Sequence, residues 1–203
     1  EMHTSGPKRN FNWRLDCPER GYAAGFRRIG IGALFGLAPW QEEAIALAAH
    51  LEYLLKRCWK AQITISLPRL RPAAGGFTPS FAVADRELAQ MICAFRITFP
   101  QVGIVLSTRE RPELRDALAP LGVTMMSAGS HTEPGGYTNQ GTNDVHRTVR
   151  GRIVAPEFLD NEPRIATGQF EVSDDRSPAE MADVLRTAGF EPIWKDFDQS
   201  LVA

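Results

Sequence analysis

At 203 residues, 43% hydrophobic and 23% charged with a formal net charge of −1, the chain has the composition of a globular protein of one or two domains. A near-neutral balance points away from nucleic acid as a partner, and no apolar run approaches the roughly 20 residues that a membrane-spanning helix needs. The opening stretch EMHTSGPKRNFNW lacks the apolar core of a signal peptide, so the expected location is the cytoplasm.

Taken in chain order, the first element is a short helix behind Asp16, with Pro18 in its first turn and Gly25 as its stop. The apolar run RRIGIGAL follows as a strand. From Glu42 to Trp59, Ala44, Leu47, Ala48, Leu51, Leu54, Leu55 and Cys58 recur at the three-and-four spacing of a helix with one apolar face. QITISL, residues 62 to 67, is the second strand, and Asp85 is expected to cap a helix whose Leu88, Ile92, Phe95 and Phe99 share one side. VGIVLS and a helix from Pro112 to about Pro120 form the next unit, and GVTMMS is a fourth strand. Strands separated by helices imply parallel pairing, because a parallel neighbour needs a long crossover. Cys17, Cys58 and Cys93 lie 41 and 35 residues apart, without metal or disulfide spacing, and read as reduced structural thiols.

The expected class is α/β, a (βα) half-barrel of about four parallel strands with helices over residues 1–137, plus a C-terminal extension. Residues 138–168 are polar and weakly periodic and read as an insertion, a loop or partly disordered. Order returns in 169–203, where Ser177, Pro178 and Glu180 make a capping-box start to a helix ending at Gly189, and the aromatic pair of EPIWKDFD is expected to dock on the main body.

Parallel (βα) folds bind ligands at the carboxyl ends of their strands, where loops and helix N-termini converge. Here those ends carry GIGALFGL, PRLRPAAGG, STRE and SAGSHTEPGGY. Gly30, Gly32 and Gly36 either let a ligand approach the backbone or serve tight packing. Arg69 and Arg71 either hold a carboxylate by paired hydrogen bonds or are solvated charges on a rigid loop. Arg109, with Ser107, Thr108 and Ser127, suits an amino-acid carboxylate; the rival reading is an ion pair with Glu110 or Glu113. His131 reads as a loop histidine rather than a base or metal ligand.

The blocks FRRIGIGALFGL, SLPRLRPAAGG, VGIVLSTRERPELRD, MMSAGSHTEPGGY, QFEVSDDRSP and WKDFD, in this order between Gly6 and Asp198, resemble the C-terminal half of the 2-iminoacetate synthase family, the tyrosine lyases of thiamine biosynthesis. The insertion 138–168 is the main departure. The resemblance implies the C-terminal half of a (βα)8 TIM-type barrel, with 169–203 as a biotin/thiamin-synthesis-associated extension. It also implies a radical S-adenosylmethionine enzyme whose N-terminal CxxxCxxC loop holds a [4Fe–4S] cluster, which cleaves tyrosine at Cα–Cβ into dehydroglycine for thiazole synthase and p-cresol. By the same resemblance, Arg109 grips the tyrosine carboxylate, with Ser127 across the next strand end. Gly30, Ile31, Gly32 and Leu34 meet the adenine of S-adenosylmethionine, and Arg69 and Arg71 lie near its methionine carboxylate.

No CxxxCxxC occurs in the sequence, so the cluster ligands are absent from this chain. It reads as the back half of such an enzyme, a fragment or the product of a split or truncated gene, inactive alone. Unpaired edges on the first and fourth strands would call for the missing N-terminal half-barrel or for self-association. Two rivals stand beside this reading. One is a fragment of the related tyrosine lyase of [FeFe]-hydrogenase maturation, disfavoured because no cysteine follows Cys93. The other is a non-catalytic docking or regulatory half-barrel.

Overall fold

The computed structural model describes residues 6–70, 78–133, 136–137, 147–149, 152–154 and 171–194. Two short helices, α1 (Phe11–Leu15) and α2 (Cys17–Ala23), lead into β1 (Arg28–Gly32). Then α3 (Trp40–Arg57), β2 (Gln62–Ser66), α4 (Asp85–Thr98), β3 (Gly103–Leu106), α5 (Pro112–Leu118) and β4 (Met125–Met126) alternate as the periodicity predicts. The four strands form one parallel sheet in the order β1-β2-β3-β4, with Ile29 opposite Ile63 and Ile65 opposite Ile104.

Alternate strand residues explain where the core lies. Ile29, Ile63, Ile65, Ile104 and Leu106 turn to one side and are buried together with Leu47, Leu51 and Leu54 of α3, Leu88, Met91, Ile92 and Phe95 of α4, and Leu114 and Leu118 of α5. The three-and-four spacing of the helices and the two-residue spacing of the strands thus meet in one apolar layer. Burying a large aliphatic side chain contributes roughly 1.5–3 kcal/mol, so this layer holds the sheet to its helices.

β4 is shorter than GVTMMS suggested. The Thr124 hydroxyl accepts the Ile104 N–H at 2.9 Å, and the Thr124 N–H donates to the Ile104 carbonyl at 3.0 Å, so a side chain replaces part of the backbone ladder. Just before it, Gly122 turns at φ 112°, and its carbonyl receives Arg96 Nε at 3.1 Å and Nη2 at 2.7 Å. A Cβ there would stand 2.7 Å from Arg96 Cγ, so the turn needs glycine both for its φ and for room.

Two expected caps differ. Asp16 precedes α2 without a side-chain cap, and the cap position of α4 is Ala84, whose N–H donates to Glu87 at 2.7 Å. Asp85 is released from capping and pairs with arginines instead. The Ser177 and Glu180 capping box is present at the start of α6 (Pro178–Thr187).

Within 138–168, Arg147–Val149 (β5) and Arg152–Val154 (β6) pair antiparallel, and the rest lies outside the described residues. Trp194 is 68% exposed and so is not docked as expected; Phe197 lies outside the described residues. No described helix is long and apolar enough to cross a membrane.

Candidate functional site at the carboxyl ends of the strands

The side of the sheet away from the helices carries small and polar residues. Gly30 and Gly32 of β1, Thr64 and Ser66 of β2, and Val105 of β3 line an open cleft of about 460 Å³ together with Ile31, Leu34 and Arg109. A volume of this size suits a small-molecule ligand. The structure therefore brings five of the sequence candidates, Gly30, Ile31, Gly32, Leu34 and Arg109, into one concavity.

The two strand glycines are not equivalent. A Cβ on Gly32 would stand 2.5 Å from the Ser66 carbonyl oxygen, so Gly32 lets β1 and β2 approach. A Cβ on Gly30 would meet only Thr64 Oγ1 at 3.4 Å, an ordinary contact. Gly30 is thus the glycine whose missing side chain leaves surface open toward a ligand.

The alternation of burial continues beyond the hydrogen-bonded ladder, into the turn at 108–110, and sorts the charged residues. Along β2 the buried row runs Ile63, Ile65, Leu67, Arg69; along β3 it runs Ile104, Leu106, Thr108, Glu110. The half-buried row of β3 runs Gly103, Val105, Ser107, Arg109. Arg109 lines the cleft while its two neighbours are buried.

Two of the candidates lie in the buried rows. Arg69 is only 6% exposed; its Nε donates to Glu110 Oε1 at 3.0 Å, Nη2 makes a second bond to Glu110 Oε2, and Nη1 donates to the Val83 carbonyl at 2.7 Å. Asp85 adds a contact at 2.9 Å. All three guanidinium nitrogens hold protein acceptors, so Arg69 is neither a solvated charge nor a group presented to the cleft. Burial works against its charge, yet the bonds to Glu110 and Asp85 hold its pKa above the usual arginine value. Thr108 is likewise buried, and its carbonyl accepts the N–H groups of Ser173 at 2.9 Å and Asp174 at 3.1 Å, so its work is to dock the C-terminal segment.

Ser107 borders a smaller recess beside Leu88 and Glu110 rather than the main cleft. Ser127 is tied through its backbone, its N–H to the Leu106 carbonyl at 3.1 Å and its own carbonyl to Arg115 Nη2. Arg71 lies outside the described residues. His131 is exposed and paired with Glu133 at 3.0 Å, as a loop histidine. Cys17, Cys58 and Cys93 are all free thiols on separate elements. Among the described residues no group of His, Cys, Asp and Glu is placed to hold a metal ion.

Sequence reasoning missed the second buried cluster. Arg115 and Asp174 are fully buried and paired, and Arg176 reaches Asp174 at 2.7 Å and Asp116 at 2.9 Å. Burial raises the Asp174 carboxyl, but hydrogen bonds from Arg176 and Arg115 outweigh it and bring the pKa down to about 2. The clasp fastens residues 173–178 to the ends of β3 and β4, with Gly129 N–H donating to the Arg176 carbonyl at 3.0 Å. No local pattern announces Asp174; for Arg69 and Glu110, extending the two-residue alternation past each strand end would have found the burial.

Comparison with known proteins agrees with this architecture. Residues 66–191 match the family model described as Biotin and Thiamin Synthesis associated domain. The chain is 39% identical over 200 residues to 2-iminoacetate synthase of Escherichia coli, covering 98% of this chain and 47% of that protein. It is 38% identical over 202 residues to the Salmonella typhimurium 2-iminoacetate synthase, with 99% and 48% covered. It thus spans about half the length of the curated relatives it matches. Among solved structures, HydG, a maturase of the [FeFe]-hydrogenase, superposes with a TM-score of 0.75 at 31% identity, over 93% of this chain and 36% of that one. HydG from Carboxydothermus hydrogenoformans gives 0.71 at 39%, over 93% and 38%. The four parallel strands and their helices correspond to part of that barrel.

Proposed function

Since the chain belongs to the Biotin and Thiamin Synthesis associated domain family and is homologous to 2-iminoacetate synthase over about half of that enzyme's length, we propose that it is the C-terminal half-barrel of a radical S-adenosylmethionine tyrosine lyase. Its task is to hold tyrosine while the Cα–Cβ bond is cut to 2-iminoacetate (dehydroglycine) and p-cresol. The observation that carries this reading is Arg109, half-buried at the carboxyl end of β3 and bordering the cleft with Gly30, Ile31, Gly32 and Leu34.

A planar guanidinium binds a carboxylate by two parallel hydrogen bonds, which fixes orientation as well as position. That matters for a reaction begun by a short-lived radical, because the attacked atom must already be in place. The open surface at Gly30 suits the flat adenine of S-adenosylmethionine, with Ile31, Gly32 and Leu34 beside it. Arg71 keeps the proposed role near the methionine carboxylate; Arg69 does not.

The [4Fe–4S] cluster does not fit the described residues. Such clusters are held by cysteine thiolates brought together, and the three cysteines here sit on separate elements. Its ligands belong to an N-terminal half-barrel supplied with this chain, and thiazole synthase is the consumer of the product.

The test pairs this chain with the N-terminal half of the Escherichia coli relative under anaerobic, reducing conditions and measures p-cresol formed from tyrosine. Tyrosine-dependent p-cresol is expected. In that assembly Arg109→Lys should weaken tyrosine by about one to two decades, the loss of one charge-assisted hydrogen bond of roughly 1.5–3 kcal/mol, with S-adenosylmethionine binding unchanged. Equal weakening of both ligands, or of neither, removes Arg109 from the site. Assembly without p-cresol favours the docking module. The superposition on HydG supports the hydrogenase-maturation reading as the second enzyme candidate; transfer of the product to thiazole synthase separates the two.

A further inference from the structure

The chain places two oppositely charged residues where its buried strand rows end. Arg69 continues Ile63, Ile65 and Leu67, and Glu110 continues Ile104, Leu106 and Thr108. Both are nearly inaccessible, at 6% and 2%. They meet fork to fork across 41 residues of sequence, Nε to Oε1 at 3.0 Å and Nη2 to Oε2. A bidentate pair in a dry setting permits little rotation, so the backbone at Glu110 is pinned. Two residues earlier, the Thr108 carbonyl is held by the N–H groups of Ser173 and Asp174. Arg109 thus stands between two anchored neighbours, in the turn after β3, and lines the cleft that they avoid.

From this geometry we infer that Arg69 and Glu110 are positioning residues for Arg109, aiming its guanidinium along the cleft wall so that it meets a ligand carboxylate preorganised. The same pair sets the loops in place: Arg69 forms a bridge with Phe35, the Leu70 N–H donates to the Phe35 carbonyl at 2.8 Å, and Arg69 Nη1 holds the Val83 carbonyl at 2.7 Å. Loops after β1, β2 and β3 are therefore fastened at one buried point. A guanidinium held in advance loses less freedom on binding than one that must be ordered by the ligand. The inference deepens the carboxylate-binding role proposed for Arg109 and rests on it for the identity of the ligand, but not for the positioning itself.

Arg69→Lys keeps the charge and removes the fork, and Glu110→Gln keeps the shape and removes the charge. Each is compared with the wild-type chain by two measurements: the relaxation order parameter of the Arg109 Nε–H group, and binding of tyrosine against tyramine, which lacks the carboxylate. In wild type the Arg109 group should be ordered, and in either variant its order parameter should drop below about 0.6, with the backbone spectrum of α3 and α4 unchanged. The preference for tyrosine over tyramine should fall about tenfold, with tyramine affinity unaltered. If Arg69→Lys does not fold, Glu110→Gln carries the comparison. An Arg109 group equally ordered in the folded variant overturns the inference, whatever the ligands do. A wild-type chain that does not distinguish tyrosine from tyramine, while Arg109 still loosens in the variants, instead overturns the carboxylate role and leaves the positioning standing.

Discussion

The two sides of the four-stranded sheet obey different rules. On the helix-covered side, Ile29, Ile63, Ile65, Ile104 and Leu106 pack against three helices and are almost entirely removed from water. On the other side, Gly30, Gly32, Thr64, Ser66 and Val105 sit at the same strand positions shifted by one residue and line an open cleft. The first side is selected for filling space and the second for leaving it. Charged residues divide in the same way: Arg69, Glu110, Arg115 and Asp174 are buried in pairs on the structural side, and Arg109 lines the cleft together with the β1 residues. A guanidinium therefore says little about binding until its side of the strand is known.

Substitutions can break or sharpen this contrast. The largest effect is expected from Asp174→Asn, which leaves the fully buried Arg115 without its carboxylate and should cost about 3–5 kcal/mol in chemical denaturation. A loss below about 1 kcal/mol would mean that the clasp is not structural. Next, Leu51→Ala removes a side chain with 0% exposure from the covered side and should cost roughly 2–5 kcal/mol, whereas Ile45→Ala on the same helix, 71% exposed, should stay within about 0.5 kcal/mol. Similar costs for the two would show that the apolar layer is misassigned.

The glycines of β1 give a finer test on the open side. Gly32→Ala brings a Cβ to 2.5 Å from the Ser66 carbonyl and should cost about 1–3 kcal/mol. Gly30→Ala, whose Cβ would stand 3.4 Å from Thr64 Oγ1, should be nearly neutral to folding and instead narrow the cleft, read as weaker S-adenosylmethionine binding. Equal stability losses would contradict the division between them.

Acid should act on the structural side first. The Asp174 carboxyl lies at about 2 in the folded chain against 3.8 ordinarily, so its contribution is complete above 3.8 and disappears as pH falls through 2. That window carries about 2–3 kcal/mol, the product of the shift and roughly 1.4 kcal/mol per unit. Unfolding free energies measured between pH 4 and 2 should show this slope, and Asp174→Asn should flatten it; an unaltered slope would assign the acid sensitivity to another group. The smallest effect belongs to Thr64→Ala on the cleft floor, expected within about 0.5 kcal/mol of wild type in the same denaturation assay.

Much of this was legible in the sequence because it is local. The three-and-four spacing from Ala44 to Cys58 yields α3, the alternation in QITISL yields β2, and Ser177 with Glu180 yields the start of α6. Each is a relation among residues a few positions apart, which the backbone geometry of a helix or strand turns directly into a face or a cap. The strand-end position of Arg109 followed from the same kind of pattern, and the six ordered blocks carried the family.

Only the tertiary structure decided which charges were partners. Arg69 and Glu110 are 41 residues apart and Arg115 and Asp174 are 59 apart, so no window of sequence contains either pair. Their meeting depends on parallel crossovers that set β2 beside β3 and on the return of residues 173–178 to the end of β3. Arg69 could pass for a ligand group in PRLRP because composition gives its charge and not its neighbours. The fold supplied Glu110, Asp85 and the Val83 carbonyl, and with all three of its nitrogens bonded inside the protein the guanidinium became part of the frame that aims Arg109.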